Sequence, residues 1–135
     1  MTVKKIIVVT IIVLIATGAI VFYYLYNKPL QDVASLEAQV VSAEKLYSAF
    51  SNNEQSANSE YLNKAVEVNG KVIEVKKNQV DGSQIVLDTG NPMSGIACTM
   101  EDDTKNIRPG DEVTIKGICT GYLNDVIIIR SLLLK

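Results

Sequence analysis

Reactive side chains are few and far apart in this chain. Cys98 and Cys119 are its only thiols, and its 135 residues include no histidine and no tryptophan. Without histidine the usual general base, the commonest metal ligand and the physiological pH switch are all missing. No Cys-His or Ser-His pair can form, and the two cysteines lack the C-x-x-C spacing of a thiol oxidoreductase. An oxidising compartment would permit a disulfide between Cys98 and Cys119. The alternative is two buried free thiols acting as small hydrophobes. Glu101-Asp102-Asp103 is the densest acidic cluster, and carboxylates can hold a hard cation. No EF-hand spacing surrounds it, so a solvated loop or a helix cap is expected instead. Lys71, Lys76 and Lys77 form a small basic patch. Barrels that bind single strands add aromatic platforms for the bases, whereas Tyr122 is the single aromatic residue after Ala65. These residues argue against an enzyme, and they imply no metal and no cofactor. Binding is the chemistry that remains.

The element that places this chemistry is an apolar run from Ile6 to Tyr26. It has 21 residues and no charge. A helix needs about 20 apolar residues to cross ~30 Å of hydrocarbon. Tyr23, Tyr24 and Tyr26 gather at its exit, where amphipathic rings sit among headgroups. Lys4 and Lys5 precede it, while Asp32 and Glu37 follow soon after Lys28. The positive-inside bias therefore predicts residues 1–5 as a cytoplasmic tip, 6–26 as a single-pass anchor in the cell membrane, and an extracytoplasmic C-terminal domain on the periplasmic or outer face. The rival is a cleaved signal peptide ending near Ala16-Thr17-Gly18, but apolar sequence continues well past that point. Three of the 13 Lys and Arg precede Pro29, which leaves 10 against all 15 Asp and Glu in the exported part. Such an acidic domain disfavours nucleic acid, whose binding rests on neutralising phosphates.

Residues 27–34 read as a linker and 35–63 as a helical segment. Val33, Leu36, Val40, Ala43, Tyr47 and Phe50 recur in steps of three and four, which predicts one amphipathic helix with Ser35 as its N-cap. Asn52 and Gln55 resemble a capping box for a second helix, from about 53 to 62. From Ala65 the period becomes two. Val66, Val68 and Val72 share one face, then Ile73 and Val75 change parity beside Gly70, which predicts a bulge. Asp81-Gly82 signals a hairpin. Shorter strands follow around Ile85, Cys98, Val113–Cys119 and Val126–Leu134, with a Pro-Gly turn at 109–110. The fold class is mainly β with N-terminal α: a five-stranded OB-type barrel over 64–135, preceded by one or two short helices and a transmembrane helix. A five-stranded sheet packed on the helices is the rival fold.

The stretch AEKLYSAFSNNEQSANSEYLNKAVEVNGKVIEV, then IACTM, RPGDEVTIKGICTG and a closing apolar strand, resembles the tRNA_anti-like OB-fold family of bacterial envelope proteins. Asn58, Tyr61, Lys64, Gly70, Val72, Cys98, Gly110, Val113, Gly117, Cys119 and Gly121 carry the resemblance. It implies the fold and brings no catalytic residues. The expected function is a membrane-anchored, non-catalytic binding module whose ligand is an envelope protein or peptide. The expected ligand rim is Lys76, Lys77, Asn78, Asp81, Tyr122, Asn124 and Asp125, at the hairpin and the last turn of the barrel. An alternative is a structural or homo-oligomerising module that pairs through the 33–50 stripe. A nucleic-acid-binding domain is the third reading.

Overall fold

The computed structural model describes residues 2–29, 31–78, 82–102 and 104–135, and for Asn78 the backbone only. It divides into two units, residues 1–31 and 32–135. The first carries one helix, α1 (Val3–Tyr26), whose most apolar 18 residues have a mean hydropathy of 2.8. Its 24 residues span about 36 Å at 1.5 Å per residue, enough to cross a bilayer. The two hydroxyls in it are satisfied within the helix. Thr10 Oγ1 donates to the Ile6 carbonyl at 2.8 Å and Thr17 Oγ1 to that of Val13 at 2.7 Å. This removes the main cost of placing threonine in hydrocarbon. The helix begins at Val3, so Lys4 and Lys5 lie within its first turn.

The second unit is built on β2 (Ala65–Asn78), a 14-residue strand long enough to serve both halves of a barrel. Residues 65–71 pair with β5 (Glu112–Tyr122), and residues 72–78 pair with β3 (Gly82–Asp88). The register shifts between Val72 and Glu74, the bulge expected beside Gly70. β3 pairs with β4 (Gly95–Met100), β4 runs parallel to β6 (Val126–Leu133), and β6 returns to β5, which closes the barrel. The five-stranded OB order is therefore present and the open-sheet rival is not. Val66, Val68, Ile85, Leu87, Ile96, Ile115 and Ile128 fill the interior at 0% exposure, each alternating with outward neighbours as a pleated strand requires.

The N-terminal segment departs from the expected single helix. Val33–Ser35 form a short 3-10 turn, Gln39–Ser42 form a strand, β1, and the helix α2 runs only from Ala43 to Asn52. β1 lies parallel to β2, with Val41 opposite Val68. Val41 is buried while Val40 is 67% exposed, so the segment follows a period of two and not the helical stripe. Ser42, not Ser35, caps the helix: its Oγ accepts from Lys45 N at 3.3 Å. The cap of α3 (Glu54–Tyr61) is Asn53, not Asn52, with Oδ1 accepting from Ser56 N at 3.1 Å. The 33–50 stripe proposed for oligomerisation is therefore not one helix face. Val33 is itself buried against β5 and β6, so residues 27–34 are not wholly linker.

α2 touches β2, β3, β4 and β6, and α3 touches β5, so the two helices together close one end of the barrel. Ala43, Leu46 and Phe50, at spacings of three and four, point inward as the plug. The fit is close enough to need a glycine: a Cβ at Gly70 would stand 2.9 Å from that of Ala43. Between β4 and β5, described residues of 101–111 form turns and bends instead of a helix. This stretch is fixed to β6, because Glu101 meets Arg130 at 3.3 Å and Asp102 Oδ2 accepts from Leu133 N at 3.3 Å. Those two carboxylates thus serve the fold, and Asp103 lies outside the described residues.

Candidate binding surface

The cysteines stand on either side of Ile128, since Cys98 and Cys119 each pair with that residue across β6. Two strand spacings separate their Cα atoms by about 10 Å, beyond the ~7 Å reach of a disulfide. Both are free and buried. Burial pushes the Cys98 thiol up to about 12 and also raises that of Cys119. The possible disulfide is replaced by two inert core thiols.

The expected rim divides into two groups. Lys76 and Lys77 are exposed at the far end of β2, opposite Gln84 and Ser83, and Lys76 meets Glu74 at 3.3 Å. Asn78 pairs through its backbone with Gly82, and Asp81 lies outside the described residues. Tyr122, Asn124 and Asp125 lie at the other end of the β3–β4 ladder, beside the loop from Thr89 to Ser94. The strand pairing settles this: Gln84 faces Thr99 at one end of β4, while Val126 faces Ile96 at the other. The hairpin and the last turn border opposite ends of that face and do not converge.

Three of the expected rim residues already have structural partners. Asp125 Oδ1 accepts from Gly95 N at 2.8 Å, and Asn124 Nδ2 donates to the Met93 carbonyl at 2.9 Å. Tyr122 is half-buried, stacked on Phe50 at 5.9 Å and edge-on to Tyr47 at 6.1 Å. Phe50 in turn lies 6.1 Å from the buried Tyr61. These are all four aromatic rings of residues 32–135, and they form one cluster where the helices plug the barrel. The Tyr47 hydroxyl accepts from Asn91 Nδ2 at 2.7 Å. A hydrogen bond from Ser94 is the main reason this phenol lies below the usual tyrosine range; those of Tyr122 and Asn91 add to it, against burial and Asp125. Tyr122 moves the other way, chiefly through burial, with its bond to Tyr47 and the charges of Glu54 and Asp125 contributing.

The outer side of the β3–β4–β6 ladder carries Val86, Ala97 and Ile127 in register. Val86 and Ala97 are nearly covered by their neighbours, so this face is smooth and apolar at its centre. Sequence reasoning missed the loop tips. Met93 is 77% and Leu123 is 82% exposed. A lone Met and a lone Leu carry no periodic signal, and only the fold brings their loops together, through the bond from Asn124 Nδ2 to the Met93 carbonyl. A cleft of about 640 Å³ lies on another side, between the start of α2 and β5, with Glu44, Lys71, Asp88, Glu112 and Lys135 on its walls. Its charges are of both signs, which selects no ligand.

The tRNA_anti-like family model matches residues 1–133. No curated protein matches the chain. Among solved structures, a "putative nucleic acid-binding lipoprotein" of Klebsiella pneumoniae is similar at 22% identity and a TM-score of 0.53, over 80% of this chain and 100% of that one. A "putative aspartyl-tRNA synthetase" of Leishmania major is similar at 9% identity and a TM-score of 0.45, over 89% of this chain but only 26% of its own. Yeast Stn1 and Ten1 give 13% identity and 0.45, over 73% of this chain and 64% of theirs. At 22% identity the likeness to the Klebsiella protein is one of fold.

Proposed function

The chain belongs to the tRNA_anti-like family, and from that premise we propose that it is a membrane-anchored, non-catalytic binding module whose ligand is a protein or peptide. One observation carries the choice of ligand. Every aromatic ring of residues 32–135 is committed to the cluster of Tyr47, Phe50, Tyr61 and Tyr122. None is left on the β3–β4 face, where an oligonucleotide would need rings on which to stack its bases. The acidic balance of the same residues opposes phosphate further. The lack of histidine and the burial of both thiols support a non-catalytic role.

The anchor reading rests on the length and hydropathy of α1. The outward orientation rests on Lys4 and Lys5 at its start and on the acidic residues after it. Nucleic acid is the rival ligand, suggested by the similarity to the Klebsiella "putative nucleic acid-binding lipoprotein". Fluorescence anisotropy with labelled single-stranded DNA and RNA, using the full chain in nanodiscs at low ionic strength, separates the two. No saturable binding is expected. Binding that weakens steeply with added salt would reverse the choice.

A further inference from the structure

The barrel leaves one strand outside its closure. β2 to β6 pair in a ring, whereas β1 is joined to β2 alone and stands last in the sheet order. Among the described residues, no backbone bond ties the other edge of Gln39–Ser42 to another strand. An open edge presents unpaired N–H and C=O groups, and proteins blunt such edges with proline, lysine or a bulge. β1 has none of the three, and it carries Val40 at 67% exposure. Gln39 and Ser42 are exposed as well, while Val41 is buried.

The charge and the length of this edge indicate its occupant. Every residue of β1 is neutral, so neither a cationic nor an anionic segment is selected. Laid antiparallel on itself and centred on Val40, the edge pairs Val40 with Val40, Gln39 with Val41, and Ala38 with Ser42. Residues directly opposite share a face, so this register keeps inward side chains beside inward ones and seats the two exposed valines together. It sets Glu37 opposite Ala43. A slip of one residue mixes the faces and brings Glu37 opposite Glu44 of the second copy, a like-charge pair. The edge is thus self-complementary in one register. So short a strand buries far less than the roughly 1,200 Å² of a stable interface between freely diffusing proteins. The contact therefore suits copies already confined to one plane, where effective concentration is high without any added contact. The apolar α1 supplies that confinement.

We propose that β1 pairs antiparallel with β1 of a second copy in the same membrane, centred on Val40, so that the two sheets become one. The proposal rests on the anchor reading above and is independent of the ligand. It uses a strand edge, where the sequence had suggested a helical stripe.

The test is disulfide trapping of the full chain in zwitterionic vesicles, with copper phenanthroline and air as oxidant. Cys98 and Cys119 are buried, so an introduced thiol reports alone. Cα atoms directly opposite in an antiparallel pair stand about 4.5–5.5 Å apart, within disulfide reach. Val40→Cys should therefore form a dimer about tenfold faster than Gln55→Cys or Lys77→Cys, two exposed sites away from the edge. In a second measurement, energy transfer between copies labelled at Lys77→Cys should fall to the level of random mixing when Val40→Lys is added. That change sets two ammonium groups opposite each other. The Val40 variants should melt as the wild type does, because the side chain is exposed. Equal trapping rates at the three sites, or energy transfer unaffected by Val40→Lys, would overturn the pairing and leave the anchor standing. In membranes of the expressing cells, a Val40→Cys product with a different protein instead of the dimer would give the edge to that protein and overturn the pairing too. Loss of the chain from the vesicles on carbonate washing would remove the anchor reading, and the pairing with it.

Discussion

A ring stacked 5.9 Å from Phe50 cannot turn to meet a ligand without uncovering the barrel's plug. Tyr122 is therefore a packing residue, and Tyr122→Ala should cost about 2 kcal/mol, less than a fully buried ring because one side is open. Denaturant unfolding of the full chain in detergent would read this; an unchanged midpoint would return Tyr122 to the rim. Gly117 is constrained from within. A Cβ there would stand 2.5 Å from Ile128 Cγ2 and 2.9 Å from the Ile129 carbonyl oxygen, and the latter cannot move aside cheaply. Gly117→Ala should destabilise by about 2 kcal/mol, as overpacking does. Cys98 makes the third residue-scale prediction. Its folded value is raised to about 12 from 9, so above pH 9 the unfolded chain releases this proton while the folded chain keeps it. The stabilising effect of Cys98 is therefore full below pH 9 and is lost as pH climbs towards 12, at up to about 1.4 kcal/mol per pH unit. Melting temperatures measured from pH 8 to 11 should fall less steeply for Cys98→Ala than for wild type. The same thiol should resist alkylation at pH 8 in the folded protein.

At the scale of elements, the segment from Val33 to Asn52 separates what pattern shows from what partners decide. Its apolar residues fit a helical period by coincidence of spacing. A strand at 39–42 wins because β3 ends at Asp88, leaving the first half of β2 with an unpaired edge that Gln39–Ser42 can occupy. β-branched Val40 and Val41 suit that role. Ser42 then starts the helix, and Ser42→Ala should cost about 1 kcal/mol, the usual effect of losing an N-cap. Ser35→Ala, which would matter equally if the helix began there, should cost much less. Thermal melts of the two variants side by side would decide between the two starts. The bulge in β2 and the strands around Ile85, Cys98 and Val113–Cys119 were legible because each carries its own signal, a parity change or a period of two. The α3 helix was legible as well, though its cap is Asn53 and not Asn52.

For the whole molecule, α1 should hold the protein in the membrane fraction after alkaline carbonate washing, with its intact mass including residues 1–31. Release, or a mass lacking that stretch, would mean a cleaved leader. Composition determined much of the rest without coordinates. An apolar run long enough to cross a bilayer, an acidic remainder and the lack of histidine follow from residue identities alone, because length, charge and protonation chemistry are properties of the residues themselves. The alternating patterns and glycines also specified the barrel. What only the tertiary structure decided is adjacency. It placed Cys98 and Cys119 on opposite sides of Ile128, turned Tyr122 onto the plug, sent the two halves of the expected rim to opposite ends of the ladder, and bonded the loop of Met93 to the last turn through Asn124. Strand order sets those neighbours, and it arises from closure between segments distant in sequence, which no local period records.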